Sequence, residues 1–140
     1  YEGLIRLLPP VSRRALILID PSYEVKSEYQ LMIDTVIKAH KKFATGIYAI
    51  WYPVVDRIRI NQIDHILIKS GIRDIQRFEL GLSEDSDELG MTGSGMWVIN
   101  PPWGLFEKMR SVLPQIQNDL DSSDEKGSQA YCKYEVMVNE

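Results

Sequence analysis

Ala15-Leu16-Ile17-Leu18-Ile19-Asp20-Pro21-Ser22-Tyr23 is the stretch on which the reading of this chain turns. Its first five residues are apolar without alternation, which suits a strand buried on both faces, as in a parallel sheet with helices above and below. Pro21 has no N–H to give a sheet ladder, so the strand must stop there. In an open parallel sheet, ligands gather outside the carboxyl ends of the strands. Residues 20 to 23 therefore sit where chemistry is expected.

Outward from this strand, the chain keeps an α/β rhythm. Upstream, residues 2 to 8 read as a short helix stopped by Pro9-Pro10. Downstream, Tyr29, Met32, Ile33, Val36, Ile37, His40 and Phe43 fall at helical spacing, with Ser27 as cap and Glu28 in the first turn. Thr45-Gly46 breaks that helix, and Ile47 to Trp51 forms a second buried strand ended by Tyr52-Pro53. Asp56 caps a helix to Ser70, closed by Gly71, and residues 74 to 82 read as a third strand. Strand, helix, strand, helix, strand with short links implies right-handed crossovers and a parallel sheet.

Beyond residue 82 the rhythm changes. A polar loop leads into Gly95 to Ile99 with no helix between, so these two strands should pair antiparallel. A helix follows from Gly104 to Leu120, where Pro114 should kink or divide it. Residues 131 to 138 read as a last edge strand.

Composition bounds the function. Of 140 residues, 44% are hydrophobic, enough for one domain with a core or a large part of one. No run of 18 apolar residues occurs, which speaks against a membrane span. The lone Cys132 forms no internal disulfide, and two distant histidines make no metal cluster, so we expect no metal and a reducing, cytoplasmic setting. A net charge of -4 runs against a nucleic-acid partner, because Lys and Arg supply most non-specific affinity for phosphate.

Asp20-Pro21-Ser22-Tyr23 resembles the loop of amino-group methyltransferases: Asp, Asn or Ser, then two prolines, then an aromatic residue. Ser22 stands where that motif has its second proline. An ordinary strand-to-helix turn with Asp20 as a cap would use the same residue types. The chemistry gives the motif its sense. An exocyclic amine is a poor nucleophile, and as it attacks a methylsulfonium it becomes tetrahedral and gains positive charge. The Asp20 carboxylate and the Pro21 carbonyl, each accepting one N–H, would favour that geometry and offset the charge. Tyr23 would offer a face to the base, a contact worth roughly 1–3 kcal/mol.

Asn100-Pro101-Pro102-Trp103 fits the written motif better. If its strand runs antiparallel to its neighbours, however, it ends on the opposite rim from Asp20, and the prolines merely end a strand and open a helix. The same topology brings Gly90-Met91-Thr92-Gly93-Ser94-Gly95 to the active rim, where glycines would let the backbone approach a ligand; a flexible connection reads equally well. Trp51-Tyr52-Pro53 also ends on that rim, where it would line the base pocket; core packing suits Trp51 at least as well. Glu84, Asp85, Asp87 and Glu88 crowd one nearby loop and would repel RNA.

Leu8-Pro9-Pro10-Val11-Ser12-Arg13-Arg14, Ile17 to Glu24, Phe43-Ala44-Thr45-Gly46, Trp51 to Val55, Gly90-Met91-Thr92 and Val98 to Trp103, in this order, resemble the RlmJ family. The resemblance implies a large-subunit ribosomal RNA adenine-N6 methyltransferase that uses S-adenosylmethionine. It implies that Asp20 is catalytic and close to the methyl donor, and that Asn100 to Trp103 are framework; from their place in the loop or on the same rim, Pro21, Ser22, Tyr23, Tyr52 and Thr92 are expected to contact substrate. Family members are about twice as long. Residues 1–140 would then be the C-terminal half of one Rossmann-like class I methyltransferase domain, parallel strands ending in an antiparallel hairpin. The half that carries the glycine-rich donor loop would be missing. The chain alone is then expected to be inactive and to self-associate through an open sheet edge. DNA adenine or a protein glutamine amide as substrate, and a non-catalytic interaction module, remain as alternatives.

Overall fold

The computed structural model describes residues 1–83, 90–123 and 129–140. In chain order the elements are α1 Glu2–Leu7, β1 Leu16–Ile19, α2 Lys26–Lys42, β2 Ile47–Val54, α3 Arg57–Lys69, β3 Ile75–Gly81, β4 Gly93–Ile99, α4 Leu105–Ser123 and β5 Tyr131–Val138. The strands form one sheet in the order β1-β2-β4-β3-β5. β1 and β2 pair parallel, with Ile19 opposite Ile50. β4 is antiparallel to both β2 and β3, and β5 is antiparallel to β3.

The expected hairpin of β3 and β4 is present, but the parallel run is shorter than its rhythm suggested. β3 points the same way as β2 yet does not touch it, because β4 is inserted between them. Alternation of strands and helices reports direction, and it is silent on which neighbour each strand takes.

α2 folds where its apolar residues share a face. Met32, Ile33, Val36 and Ala39 are fully buried, in one cluster with Ile17 and Ile19 of β1 and Tyr48 and Ile50 of β2. Its capping departs from expectation: the helix begins at Lys26, and Val25 holds the cap position without a side-chain bond. Ser27 lies inside the first turn, too late to cap. Asp56 does cap α3, its carboxylate accepting from the Arg59 N–H at 3.1 Å. α4 runs unbroken through Pro114.

β1 is not buried on both faces. Ile17 and Ile19 point into the core, whereas Leu16 and Leu18 are 69% and 67% exposed. β1 is the outermost strand, and on its outer face Leu16 borders an apolar groove of about 280 Å³ shared with Ile47, Ala49, Met96, Leu105 and Met109. No helix among the described residues is long and apolar enough to cross a membrane.

Candidate active site

The end of β1 delivers Asp20 to the carboxyl rim of the parallel pair, and its side chain is exposed. Pro21 and Ser22 follow, and the chain turns at Tyr23, whose φ of +56° is left-handed. An aromatic residue rarely adopts that conformation, at a cost of roughly 1–2 kcal/mol. Packing holds it there. The Tyr23 hydroxyl donates to the Trp51 carbonyl of β2, and its ring lies 4.5 Å from that of Tyr29 and 6.1 Å from that of Trp51. Burial, then the nearby Tyr29, Tyr1 and Asp20, push its hydroxyl well above the usual tyrosine range, so it stays protonated and keeps donating.

Tyr23 is therefore a pin for the loop. Its exposure is only 9%, so the ring face expected to receive a base is already covered by neighbours. Ser22 is held too: its hydroxyl donates to Glu28 Oε2 at 2.9 Å. From the sequence Glu28 is only a first-turn acid. Its tie to the loop depends on the turn at Tyr23 folding the chain back on α2, a distance that residue spacing does not report.

Thr92 reaches the same rim from the start of β4. Its N–H donates to the Val54 carbonyl at 2.9 Å and its hydroxyl to the same oxygen at 3.2 Å, while its own carbonyl accepts from Leu82 N–H. Asp20, Pro21, Ser22 and Thr92 thus share one end of the sheet. Asn100 stands at the other: Ile99 pairs with Tyr48 near the start of β2, and Asn100 Nδ2 donates to the carbonyls of Ala44 and Gly46, both at 2.7 Å.

Tyr52 does not face the rim. It is fully buried, stacked on Trp97 with ring centroids 3.9 Å apart, and its hydroxyl donates to Glu79 Oε2 at 2.8 Å. β2 is expected to end at Trp51, but it continues to Val54, which carries Tyr52 inside. Glu79 is the centre of a network that residue patterns did not reveal. Arg57 grips both carboxylate oxygens, at 2.8 and 2.7 Å, and the Tyr131 hydroxyl donates at 3.0 Å. Burial alone would raise the Glu79 carboxyl; the bonds from Arg57, Tyr52 and Tyr131 overcome it and hold the group at about 2. One sign was present in the sequence, a lone acid between Phe78 and Leu80 in a strand.

Gly93 and Gly95 serve this network. A Cβ on Gly95 would lie 2.3 Å from the Tyr52 ring, and one on Gly93 would lie 2.7 Å from Gly81 Cα. These two glycines, expected to open space for a ligand, instead make room for a buried ring and a neighbouring strand. Glu84, Asp85, Asp87 and Glu88 lie outside the described residues. Among the described residues no group of three or more metal-ligating side chains occurs.

A family model described as "Ribosomal RNA large subunit methyltransferase D, RlmJ" matches residues 1–132. Two curated relatives carry the name Ribosomal RNA large subunit methyltransferase J. The one from Escherichia coli (strain K12) is 52% identical over 120 residues, and the one from Haemophilus influenzae (strain ATCC 51907 / DSM 11121 / KW20 / Rd) is 50% identical over 120 residues. Each match covers 86% of this chain and 43% of the relative, so the chain spans less than half their length. A crystal structure of a Legionella pneumophila str. Philadelphia 1 protein, 36% identical, superposes with a TM-score of 0.84 over 96% of this chain and 48% of that one. The chain belongs to the RlmJ family of ribosomal RNA large subunit methyltransferases.

Proposed function

We propose that this chain is the C-terminal half of a Rossmann-like catalytic domain. At its relatives' full length, the protein would transfer a methyl group from S-adenosylmethionine to the N6 amine of an adenine in large-subunit ribosomal RNA. The observation that carries the reading is the exposed carboxylate of Asp20 at the carboxyl end of β1, followed at once by the Pro21 carbonyl. The other motif-like segment, Asn100 to Trp103, is on the far rim with its amide already engaged.

In this reading Asp20 and the Pro21 carbonyl each accept one N–H of the amine. They hold its lone pair toward the donor and offset the positive charge that grows on nitrogen. The donor, when bound, would supply the methyl group to the amine nitrogen and leave as a neutral thioether, and the proton displaced from the amine would pass to water. Ser22 and Thr92 line the rim beside the base. Tyr23 and Tyr52 act from behind: the first fixes the loop and the second supports β2. A target within structured RNA must be unstacked to reach Asp20.

The described residues fit a methyl donor only in part. Asp20 is open to solvent and offers a polar wall, but no Gly-x-Gly-x-x-Gly follows any strand of this chain. The donor supplies the activated methyl group when bound, and its remaining walls belong to sequence outside residues 1–140. We place the whole protein in the cytoplasm, with ribosomal RNA as its partner and no metal in its chemistry.

The test offers labelled methyl donor to the full-length protein together with protein-free large-subunit ribosomal RNA, duplex DNA or protein. Label in N6-methyladenine of the ribosomal RNA is the expected result. Label confined to DNA or to glutamine amides, or no transfer at all, would overturn the reading.

A further inference from the structure

All twenty acidic residues of this chain lie outside two segments, residues 3–19 and 35–55, which between them carry Arg6, Arg13, Arg14, Lys38, Lys41 and Lys42. The fold brings these segments together at the end of the sheet where β1 and β2 begin. Ile47 N–H donates to the Ala15 carbonyl, Lys42 Nζ donates to the Ile5 carbonyl, and Leu8 is buried in one cluster with Phe43. All six cations are exposed. Arg6 pairs weakly with Glu2 at 3.5 Å, and Lys42 caps the end of α1. Among the described residues, Arg13, Arg14, Lys38 and Lys41 form no ion pair. Asp34, one turn from Lys38 toward the catalytic rim, accepts a hydrogen bond from Gln30. A protein with net charge -4 has thus gathered a positive surface on the side of that end built by α1, the last turns of α2 and the start of β1, while Asp74, just before β3, lies farther along the same end, its carbonyl accepting from Asn100 N–H.

We propose that this surface binds the phosphodiester backbone of RNA away from the target base, as a second contact beyond the catalytic rim. The proposal rests on the reading of the substrate as RNA. Like charges held together raise one another's energy, and a polyanion relieves that by releasing its own counterions as it binds. The reach is suitable. From Arg14 to Asp20 the chain runs through β1, which at about 3.3 Å per residue spans roughly 20 Å. A duplex carries about one phosphate charge per 1.7 Å of axis, so a stem beside a base held at Asp20 extends to the patch within about a dozen phosphates. The bound RNA would lie along the side of the molecule that carries α1 and α2. This also answers the objection raised by the overall acidity, since affinity follows local charge rather than the total.

The test uses the full-length protein carrying R13Q/R14Q/K38Q/K41Q, and as control K108Q/R110Q on α4. Binding to protein-free large-subunit ribosomal RNA is measured between 50 and ~200 mM salt, a range over which phosphate contacts are read from the slope. The expected result is at least a tenfold loss of affinity and a salt slope shallower by about two to four for the quadruple variant. KM should rise with kcat unchanged, and the control should change far less. Wild-type slope and affinity in the quadruple variant, or an equal loss in the control, would overturn the proposal. Failure of the substrate reading looks different: the wild type would bind RNA through this patch yet place no label in it.

Discussion

Ser22 Oγ lies 2.9 Å from Glu28 Oε2, so the third residue of the Asp20–Tyr23 loop is tied to the first turn of the helix that follows. Where the related motif has a proline, whose ring restricts the backbone covalently, this chain has a serine held by a carboxylate. Both devices restrict the backbone of the loop.

This relationship is testable by exchange. Glu28→Ala in the full-length protein should lower kcat for methyl transfer about tenfold, the equivalent of about 1.4 kcal/mol from one charge-assisted bond. Adding Ser22→Pro to that variant should restore most of it. Wild-type kcat in Glu28→Ala would show that the tie does not matter.

The Glu79 network makes a prediction about acid. Its carboxyl is held at about 2, below the ordinary carboxylate value of 4.5. Such a group adds stability above its unfolded pKa, and that stability is lost as pH falls through the folded one. A depression of this size is worth about 3 kcal/mol. The stability difference between wild type and Glu79→Gln should therefore be largest near neutral pH and shrink from about pH 4.5 to about 2. Denaturation at a series of pH values checks it; a difference independent of pH would contradict it.

Gly95→Ala should be costly. The new methyl would meet the Tyr52 ring at 2.3 Å and the Phe78 carbonyl at 2.8 Å, and Tyr52 is clamped by Trp97 and Glu79. Overpacking of this kind costs about 1–3 kcal/mol, which thermal unfolding will detect. Gly3→Ala, in α1 with nothing within 4 Å, is the control that should not destabilise.

Much of this fold was legible. The helical faces of α2 and α3, the Asp56 cap and the β3–β4 hairpin follow from periodicity and local chemistry, which act over a few residues. The insertion of β4 between β2 and β3 was not legible, since strand order is decided by packing across the whole sheet. The candidate loop was found because Asp20-Pro21 ends an apolar run. The inward placement of Tyr23 and Tyr52 escaped the same reading. A tyrosine beside a motif looks alike whether its hydroxyl meets solvent or, as here, the Trp51 carbonyl or Glu79.

β1 bears on solution behaviour. On one side its backbone has no neighbouring strand among the described residues, and Leu16 and Leu18 are largely exposed. Open apolar edges invite pairing with another chain. The 140-residue chain by itself should self-associate in size measurements, and Leu16→Lys/Leu18→Lys should return it to a monomer. A stable wild-type monomer would contradict this.

The most direct measurement is methyl transfer by full-length Asp20→Ala to protein-free large-subunit ribosomal RNA. Asp20 is exposed, so the substitution should leave thermal stability unchanged. Loss of one preorganised contact to the developing charge predicts a fall in kcat of about 10²–10³. Turnover close to that of the wild type would mean that the amine is held elsewhere.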